Sequence, residues 1–452
     1  MNTIPTQKPE SGVHMHSQAA FPPATAEGAP PLLDAAWLRQ LCLDAGADDV
    51  GFVELGRPAL TGEKPSVERL FPRTRSLISI VLRMNRDNIR SPARSLANNE
   101  FHHQTDATNE VARRIVASLE RLGIRALNPP AGFPMEADRW MTERMWIVSH
   151  KPVAVAAGMG RMGIHRNLIH PKFGNFILLG TILLGAEVSE YGRELDFNPC
   201  LTCKLCVAAC PVGAIGADGH FDFSACYTHN YREFMGGFAD WAEGVASSRN
   251  GMDYRRRVKE SETVSTWQSL AFGPNYKAAY CMAVCPAGED VLGFYQRSKK
   301  DFTAEVVKPL QEKVEPLYVI PGSDAEAHAK KRYPHKTLQH VRNSLRPRNL
   351  KTLLQGMPHT FQRHAAGQLD ATYHFTFTGS ESKRVTIVIR DGKLALTDGL
   401  QGKPDISVTT DTTTWLGFLA KEENLLWALV TRRIRLRGNP KWLLAFGKCF
   451  PG

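Results

Sequence analysis

Apolar positions recur every three or four residues in LLDAAWLRQLCLDAGA, which predicts an amphipathic helix capped by Asp34 and ended at Gly46. DVGFVEL and SLISIVLR are short, almost wholly apolar runs and read as buried strands, the second following the turn-prone FPRTR. TDATNEVARRIVASLERLGI returns to helical spacing and stops at Gly123. Helices alternating with buried strands give an α/β pattern for the first half of the chain. Near the other end the period drops to two in ATYHFTFTG, KRVTIVIRDGKLALTDG and KPDISVTT. Tyr373, Phe375 and Phe377 then share one face, and Asp391-Gly392 marks a hairpin. TTTWLGFLAKEENLLWALV and NPKWLLAFGK follow as helical stretches, which predicts an antiparallel sheet covered by helices, an α+β layout.

Length changes this picture only by requiring several cores: 452 residues exceed one ordinary domain. The first thirty-odd residues are rich in Pro, Ala, Gly and Ser and lack the basic start and apolar stretch of a signal peptide. Residues 1–31 are therefore expected to form a disordered tail, and the protein to be cytoplasmic. No run of eighteen apolar residues appears, so no transmembrane segment is expected. The net charge of +11 draws partly on Lys330–Lys351, which holds eight Lys and Arg and no acid. That stretch reads either as a patch for an anionic partner or as a solvated linker; with only Tyr333 interleaved as an aromatic, the linker is preferred and a nucleic-acid partner is not expected.

The chemistry lies in the cysteines. There are nine, an odd number, and most fall in two short-spaced groups, which points away from disulfides and towards metal or cluster ligation. Cys200, Cys203, Cys206 and Cys210 are separated by two, two and three residues and followed by Pro211. This is the bacterial-type spacing for a [4Fe-4S] cube, in which three cysteines of a tight loop serve one cluster and the fourth, at the start of a helix begun by the proline, serves a neighbour. Zinc usually takes two pairs separated by a dozen residues or more. The second group, Cys281-x-x-x-Cys285-Pro286, supplies the missing corner: Cys285 closes the cube of Cys200, Cys203 and Cys206. Cys210 and Cys281 then belong to a second cube with Cys226 as third ligand. Where a fourth cysteine would fall stands Ala278, so that site is a [3Fe-4S] cluster, a [4Fe-4S] cube with a non-cysteine ligand (His229 being nearest), or not formed. Cys42 and Cys449 read as small core residues, and Tyr227 as cluster packing.

Between the first domain and the cysteines runs AVAAGMGRMGIHRNLIHPKFGNFILLGTILL. Gly158, Gly160 and Gly163 imitate a dinucleotide fingerprint, but no acidic residue closes the unit, so the alternative is a turn packed tightly against something bulky. His165 and His170 flank Asn167 there, either touching a cofactor or protonating substrate, or else pinning the loop.

The order α/β domain, AAGMGRMG…HPKFGNFILLG, Cys200–Pro211, Cys226, Cys281–Pro286 resembles the corrinoid-dependent epoxyqueuosine reductases and reductive dehalogenases over about Leu32 to Arg297. EFHHQTD, before the predicted helix, adds to that resemblance. It implies cobalamin held against a nitroreductase-like α/β sheet, a ferredoxin-like module whose nearer cluster feeds it electrons, and a ferredoxin- or flavodoxin-type donor. Gly158, Gly160, Gly163, His165 and His170 become cofactor-binding candidates. The chain departs from the family at Ile164-His165 after the third glycine, and at Arg144, where an ungapped alignment puts the catalytic aspartate. His165, Glu143 and Asp138, with Glu136, are the remaining catalytic candidates. The stretch DISVTTDTTTWLGFLAKEENLLWALVTRRIRLRGNPKWLLAF resembles the sterol-carrier-protein family, which implies an apolar tunnel for a hydrophobic small molecule or lipid; Trp415, Phe418, Leu426, Trp427, Leu443 and Phe446 line it or fill a core. The expected parts are a tail to 31, an α/β reductase-like domain 32–190, a ferredoxin-type module 191–300, a basic linker 301–348 and a sterol-carrier-like domain 349–452. The expected function is a corrinoid-dependent iron–sulfur reductase of a hydrophobic substrate. The competing readings are an electron-transfer protein without its own substrate and a lipid-binding protein with structural or sensing clusters.

Overall fold

The computed structural model describes residues 31–136, 145–197, 199–200, 203–345, 347–420 and 422–452; residues 1–30 of the expected tail, and the candidates Asp138 and Glu143, lie outside these. Helix α1 (Ala35–Asp44) starts where Asp34 accepts the Trp37 N–H at 2.8 Å. Strands β1 (Asp49–Glu54) and β2 (Ser76–Arg83) form as the apolar runs predict. Helix α2 (Arg94–Arg121) begins eleven residues before the expected Thr105, absorbing EFHHQTD. Its polar first turns are held from outside: Asn98 exchanges bonds of 2.9 and 3.3 Å with the Tyr276 backbone, and Glu100 accepts the Asn85 N–H at 2.6 Å.

With β3 (Ala126–Leu127), helix α3 (His150–Ala156) and β4 (Ile177–Leu184), the first domain is a four-stranded sheet in the order β1-β2-β4-β3. Every neighbouring pair is antiparallel, with Ile78 opposite Phe52 on one side and Ile182 on the other. Both faces are covered. Ile78, Ile80 and Ile182 pack on Val111, Ile115 and Leu119 of α2, while Leu77, Val81 and Leu183 pack on Val153 and Ala154 of α3. This explains why the strands lack polar alternation.

The cysteine module contains helices α4 (Leu205–Ala209), α5 (Phe223–Asn230), α6 (Gly236–Ala246), α7 (Gly251–Arg257), α8 (Glu260–Phe272), α9 (Tyr280–Ala283) and α10 (Glu289–Arg297). The expected basic linker is folded. Strand β5 (Pro316–Val319) pairs in parallel with β6 (Thr337–His340) across helix α11 (Asp324–Arg332), and Leu317, Ala329 and Tyr333 make a small core. Much of what read as free charge is bonded: Lys336 is fully buried against Glu315 at 2.7 Å, and Lys330 meets Glu326 at 2.7 Å.

The last domain carries helix α12 (Leu350–Thr360) and strands β7 (Ala371–Thr378), β8 (Lys383–Arg390), β9 (Lys393–Asp398) and β10 (Ile406–Asp411). Helices α13 (Thr412–Leu419) and α14 (Leu425–Val430), strand β11 (Ile434–Gly438) and helix α15 (Lys441–Cys449) complete it. Sheet order is β9-β8-β7-β10-β11, antiparallel except for the parallel pair β7–β10, so the expected all-antiparallel sheet holds for the hairpins and not for the long crossover. Tyr373, Phe375 and Phe377 share the buried face, and Asp391 and Gly392 turn the hairpin with φ of 51° and 63°. Cys42 and Cys449 are wholly buried core residues, as expected. Among the described residues no helix is long and apolar enough to cross a membrane.

Candidate functional site

The cysteine loop differs from expectation in one respect. Pro211 does not begin a helix; it ends one. Cys206 lies within α4, and Cys210 caps that helix in extended conformation (φ −67°, ψ 114°), as a residue before proline prefers. The chain then turns so that the Ala214 N–H points at the Cys210 sulfur at 3.3 Å, with the Val212, Gly213 and Ile215 amides also donating towards it. Burial raises the Cys210 thiol, and these N–H groups offset only part of that rise.

The two cysteine groups meet across the sequence. Cys285 lies close enough to Cys203, Cys200 and Cys281 to feel their charge, and Cys206 feels Cys281 first, then Cys285, Cys203 and Cys200. Cys226, on α5, feels Cys281 and Cys210, and Cys281 feels Cys210. The seven sulfurs thus gather in one region, with Cys281 in the field of both Cys206 and Cys210. Burial, then the neighbouring Cys210, pushes the Cys281 thiol up to about 12; burial pushes Cys285 to about 12. Packed together without added positive charge, these thiols resist ionisation. Among the described residues no three His, Cys, Asp or Glu side chains gather tightly enough for a single metal ion. A cluster asks for more widely spaced sulfurs, one to each corner.

Positive charge stands ready beside them. Arg90 reaches the Ala283 carbonyl with Nε at 3.3 Å and feels the Cys285 sulfur; burial, then Arg86, lowers it to about 10. Arg94 lies over the Tyr280 ring and feels Cys281. Arg90 Nη2 and Arg94 Nε and Nη2 are buried with no hydrogen-bond partner among the described residues. Unpaired buried guanidinium N–H groups are costly unless an anionic group completes them. They fit a thiolate-bound cluster, whose net charge is negative.

A cavity of about 910 Å³ opens between β4, α3, the glycine stretch and α9. Its wall includes Trp146, His150, Lys151, Ile164, Arg166 and Met282, the last of these next to Cys281. Lys151 borders the cavity and donates to the Arg166 carbonyl at 2.7 Å and to Asn167 Oδ1 at 3.1 Å. It also feels the charge of Cys281 and Cys226, which counters the lowering of its pKa by burial. His150 stays neutral: burial lowers it, and its nitrogens meet Thr181 Oγ1 at 2.9 Å and the Pro130 carbonyl at 3.0 Å. None of His150, Lys151, Arg166 or the arginine row stood out in the sequence, because a lone basic residue in an α/β domain has no distinctive spacing.

The predicted cofactor residues divide. Gly163 lines the cavity. Gly158 and Gly160 do not; they admit backbone. A Cβ at Gly158 (φ +79°) would stand 2.7 Å from the Arg193 carbonyl oxygen, and one at Gly160 (φ +158°) 2.3 Å from that of Ile169. His165 and His170 are likewise loop pins and not cavity residues. His165 Nδ1 accepts the Asn167 N–H at 3.1 Å while Nε2 faces the Asn175 amide at 3.3 Å, and burial holds the ring near a pKa of about 4. His170 stacks on Phe173, bonds Asp49 at 3.0 Å and takes the Lys172 N–H at 3.2 Å.

In the last domain a narrow apolar groove of about 90 Å³ runs beneath Phe375, Phe377, Trp415 and Phe446. Phe418, Leu426, Trp427 and Leu443 are not on its wall; Leu426 and Trp427 lie on the surface, 73% and 61% exposed. The helix α14 turns Leu425, Ala428 and Leu429 inward instead.

Residues 350–451 match the SCP-2 sterol transfer family. An epoxyqueuosine reductase of Cellulophaga algicola is 31% identical over 105 residues, 22% of this chain and 34% of its own length. One from Bacillus anthracis is 24% identical over 177 residues, 39% of this chain and 38% of its own. The chain thus spans about a third of the length of these curated relatives. A solved epoxyqueuosine reductase with an epoxyqueuosine-modified tRNA-Tyr stem loop is similar at a TM-score of 0.31 and 19% identity, over 43% of this chain and 56% of that one.

Proposed function

We propose that this chain is an iron–sulfur reductase whose 910 Å³ cavity holds a corrinoid and a hydrophobic organic substrate. The observation that carries the reading is adjacency: Lys151 and Met282 belong to the cavity wall and at the same time stand beside Cys281. Cys200, Cys203, Cys206 and Cys285 would hold one cube, and Cys210, Cys226 and Cys281 a second cluster nearer the cavity. The volume lies towards the top of the roughly 300–1,000 Å³ range of ligand pockets, and the apolar wall with a few polar groups suits a large planar cofactor. When bound, such clusters pass electrons singly and a corrinoid collects two for transfer to carbon.

The chain's own residues bind and orient. Ile164 and Leu178 offer an apolar surface, while Lys151, Arg166 and Asn167 supply a polar edge. Lys151 feels the charges of Cys281 and Cys226 and would keep an anionic substrate edge near the electron source. The SCP-2-like domain would present the apolar substrate, although its groove must widen to admit a lipid chain. A tRNA substrate, as the relatives' names suggest, is less well served here, since the basic stretch is folded and Lys330 and Lys336 are bonded to acids.

The test is anaerobic purification with iron, sulfide and cobalt measured together, followed by cobalamin titration. Iron and sulfide with one corrinoid per chain are expected. Clusters without corrinoid, and no binding on titration, would leave an electron-transfer protein; no iron would discard the reading entirely.

A further inference from the structure

We propose that the second cluster is a cube in which one iron has no protein ligand and takes a small anionic oxygen or sulfur donor from solution. This rests on the iron–sulfur reading above. Cys210, Cys226 and Cys281 supply three sulfurs within reach of each other's charge. At the position where the motif would put a fourth cysteine stands Ala278, which carries no donor. Ala278 is buried in the same core as Cys210, with Cys226 and Cys281 packed against it. Its N–H and that of Ala279 both donate to Asn230 Oδ1, at 2.9 and 3.1 Å, which ties the segment to the end of the helix bearing Cys226. A methyl group thus occupies the place where the motif would put a thiolate.

Two substitutes stand nearby in sequence, and His229 Nε2 is buried with no hydrogen-bond partner among the described residues. His229 Nδ1 accepts the Tyr318 N–H at 3.3 Å, so its proton sits on Nε2. Ligation through Nε2 would require an imidazolate, and burial already disfavours a charged ring. Asp222 feels Cys226, but its carboxylate caps α5 by accepting the Ala225 N–H at 2.9 Å. Lys151 is a further charged group in the field of Cys226, and as a cation it favours an anion at the open corner. Because Lys151 also borders the cavity, a donor atom of a substrate there belongs to the class that could occupy that corner.

An iron without a protein anchor is easily lost. One-electron oxidation by ferricyanide takes the cube from the 2+ to the 3+ state; ferrous ion then leaves and a three-iron cluster of charge 1+ remains, so that charge balances. The experiment reconstitutes the full chain anaerobically, titrates it with ferricyanide and follows iron release and the electron paramagnetic resonance signal of the oxidised three-iron cluster. In the wild type that signal should rise to about one per chain and vanish when ferrous iron and reductant are restored. Ala278→Cys should retain its iron and lose the signal, and Cys203→Ser should keep it. Ala278→Cys behaving like the wild type would overturn the inference. So would loss of the second cluster alone in Asp222→Asn or His229→Gln, which would identify a protein ligand. A chain that binds no iron would remove the iron–sulfur reading itself, a different failure from either of these.

Discussion

Tyr280 donates a 2.7 Å hydrogen bond to one oxygen of Glu315, and the other oxygen takes the Lys336 ammonium at 2.7 Å. The contact fixes α9, and with it Cys281, to a segment that composition alone would leave as solvated linker. Three buried polar groups satisfy one another, so removing one strands the rest.

Glu315→Ala is therefore expected to destabilise the fold by about 3–5 kcal/mol, measured by denaturant melts. Burial works to raise the Glu315 carboxyl, but the bonds from Lys336 and Tyr280 outweigh it and hold it below the ordinary carboxylate range. A lowered folded pKa means stability that is present above the unfolded value, near pH 4, and lost as pH falls through the folded one. Wild-type melts should weaken through that acid window more steeply than those of Glu315→Gln. Parallel curves would show that the carboxylate is unpaired in solution.

Cys285→Ser should damage the same centre as Cys203→Ser, although eighty-two positions separate them. Their mutual charge interaction puts both in one sulfur set. Magnetic resonance of the two variants is the check, and signals lost from different centres would break the assignment.

Arg90→Met removes a buried cation that feels Cys285. A positive charge nearby stabilises the reduced, more negative cluster. The potential of the Cys285 centre should therefore become more negative, on the order of tens of millivolts, with iron content unchanged. An unaltered potential in a redox titration would mean that the guanidinium is solvent-screened.

Ile164→Trp places a large side chain against the cavity. Cobalamin affinity should fall at least tenfold, about 1.4 kcal/mol, while iron and sulfide stay at wild-type levels. Unchanged affinity would put the corrinoid elsewhere.

Much of the fold was legible because its periods are strong. SLISIVLR corresponds residue for residue to β2, and the aromatic triplet of β7 faces inward as its alternation demands. What escaped was decided by long-range bonding. β5 and β6 are four residues each and become strands only by pairing with one another, so neither shows a period. The first turns of α2 look like loop until Tyr276 and Asn85 take up their polar side chains. Histidines beside glycines suggested chemistry, yet each ring nitrogen of His170 has a structural partner. The cavity arises from four separate segments and leaves no local trace.

Seventy-eight residues lie between Cys206 and Cys285, the last sulfur of the first set. At about 5–20 residues per second, a ribosome needs roughly 4–16 s to synthesise that interval. Throughout it the nascent chain offers three neighbouring thiols and no closing partner. Any inorganic group gripped by all four sulfurs must consequently be delivered after synthesis has passed residue 285, which makes loading a late event in the life of this polypeptide.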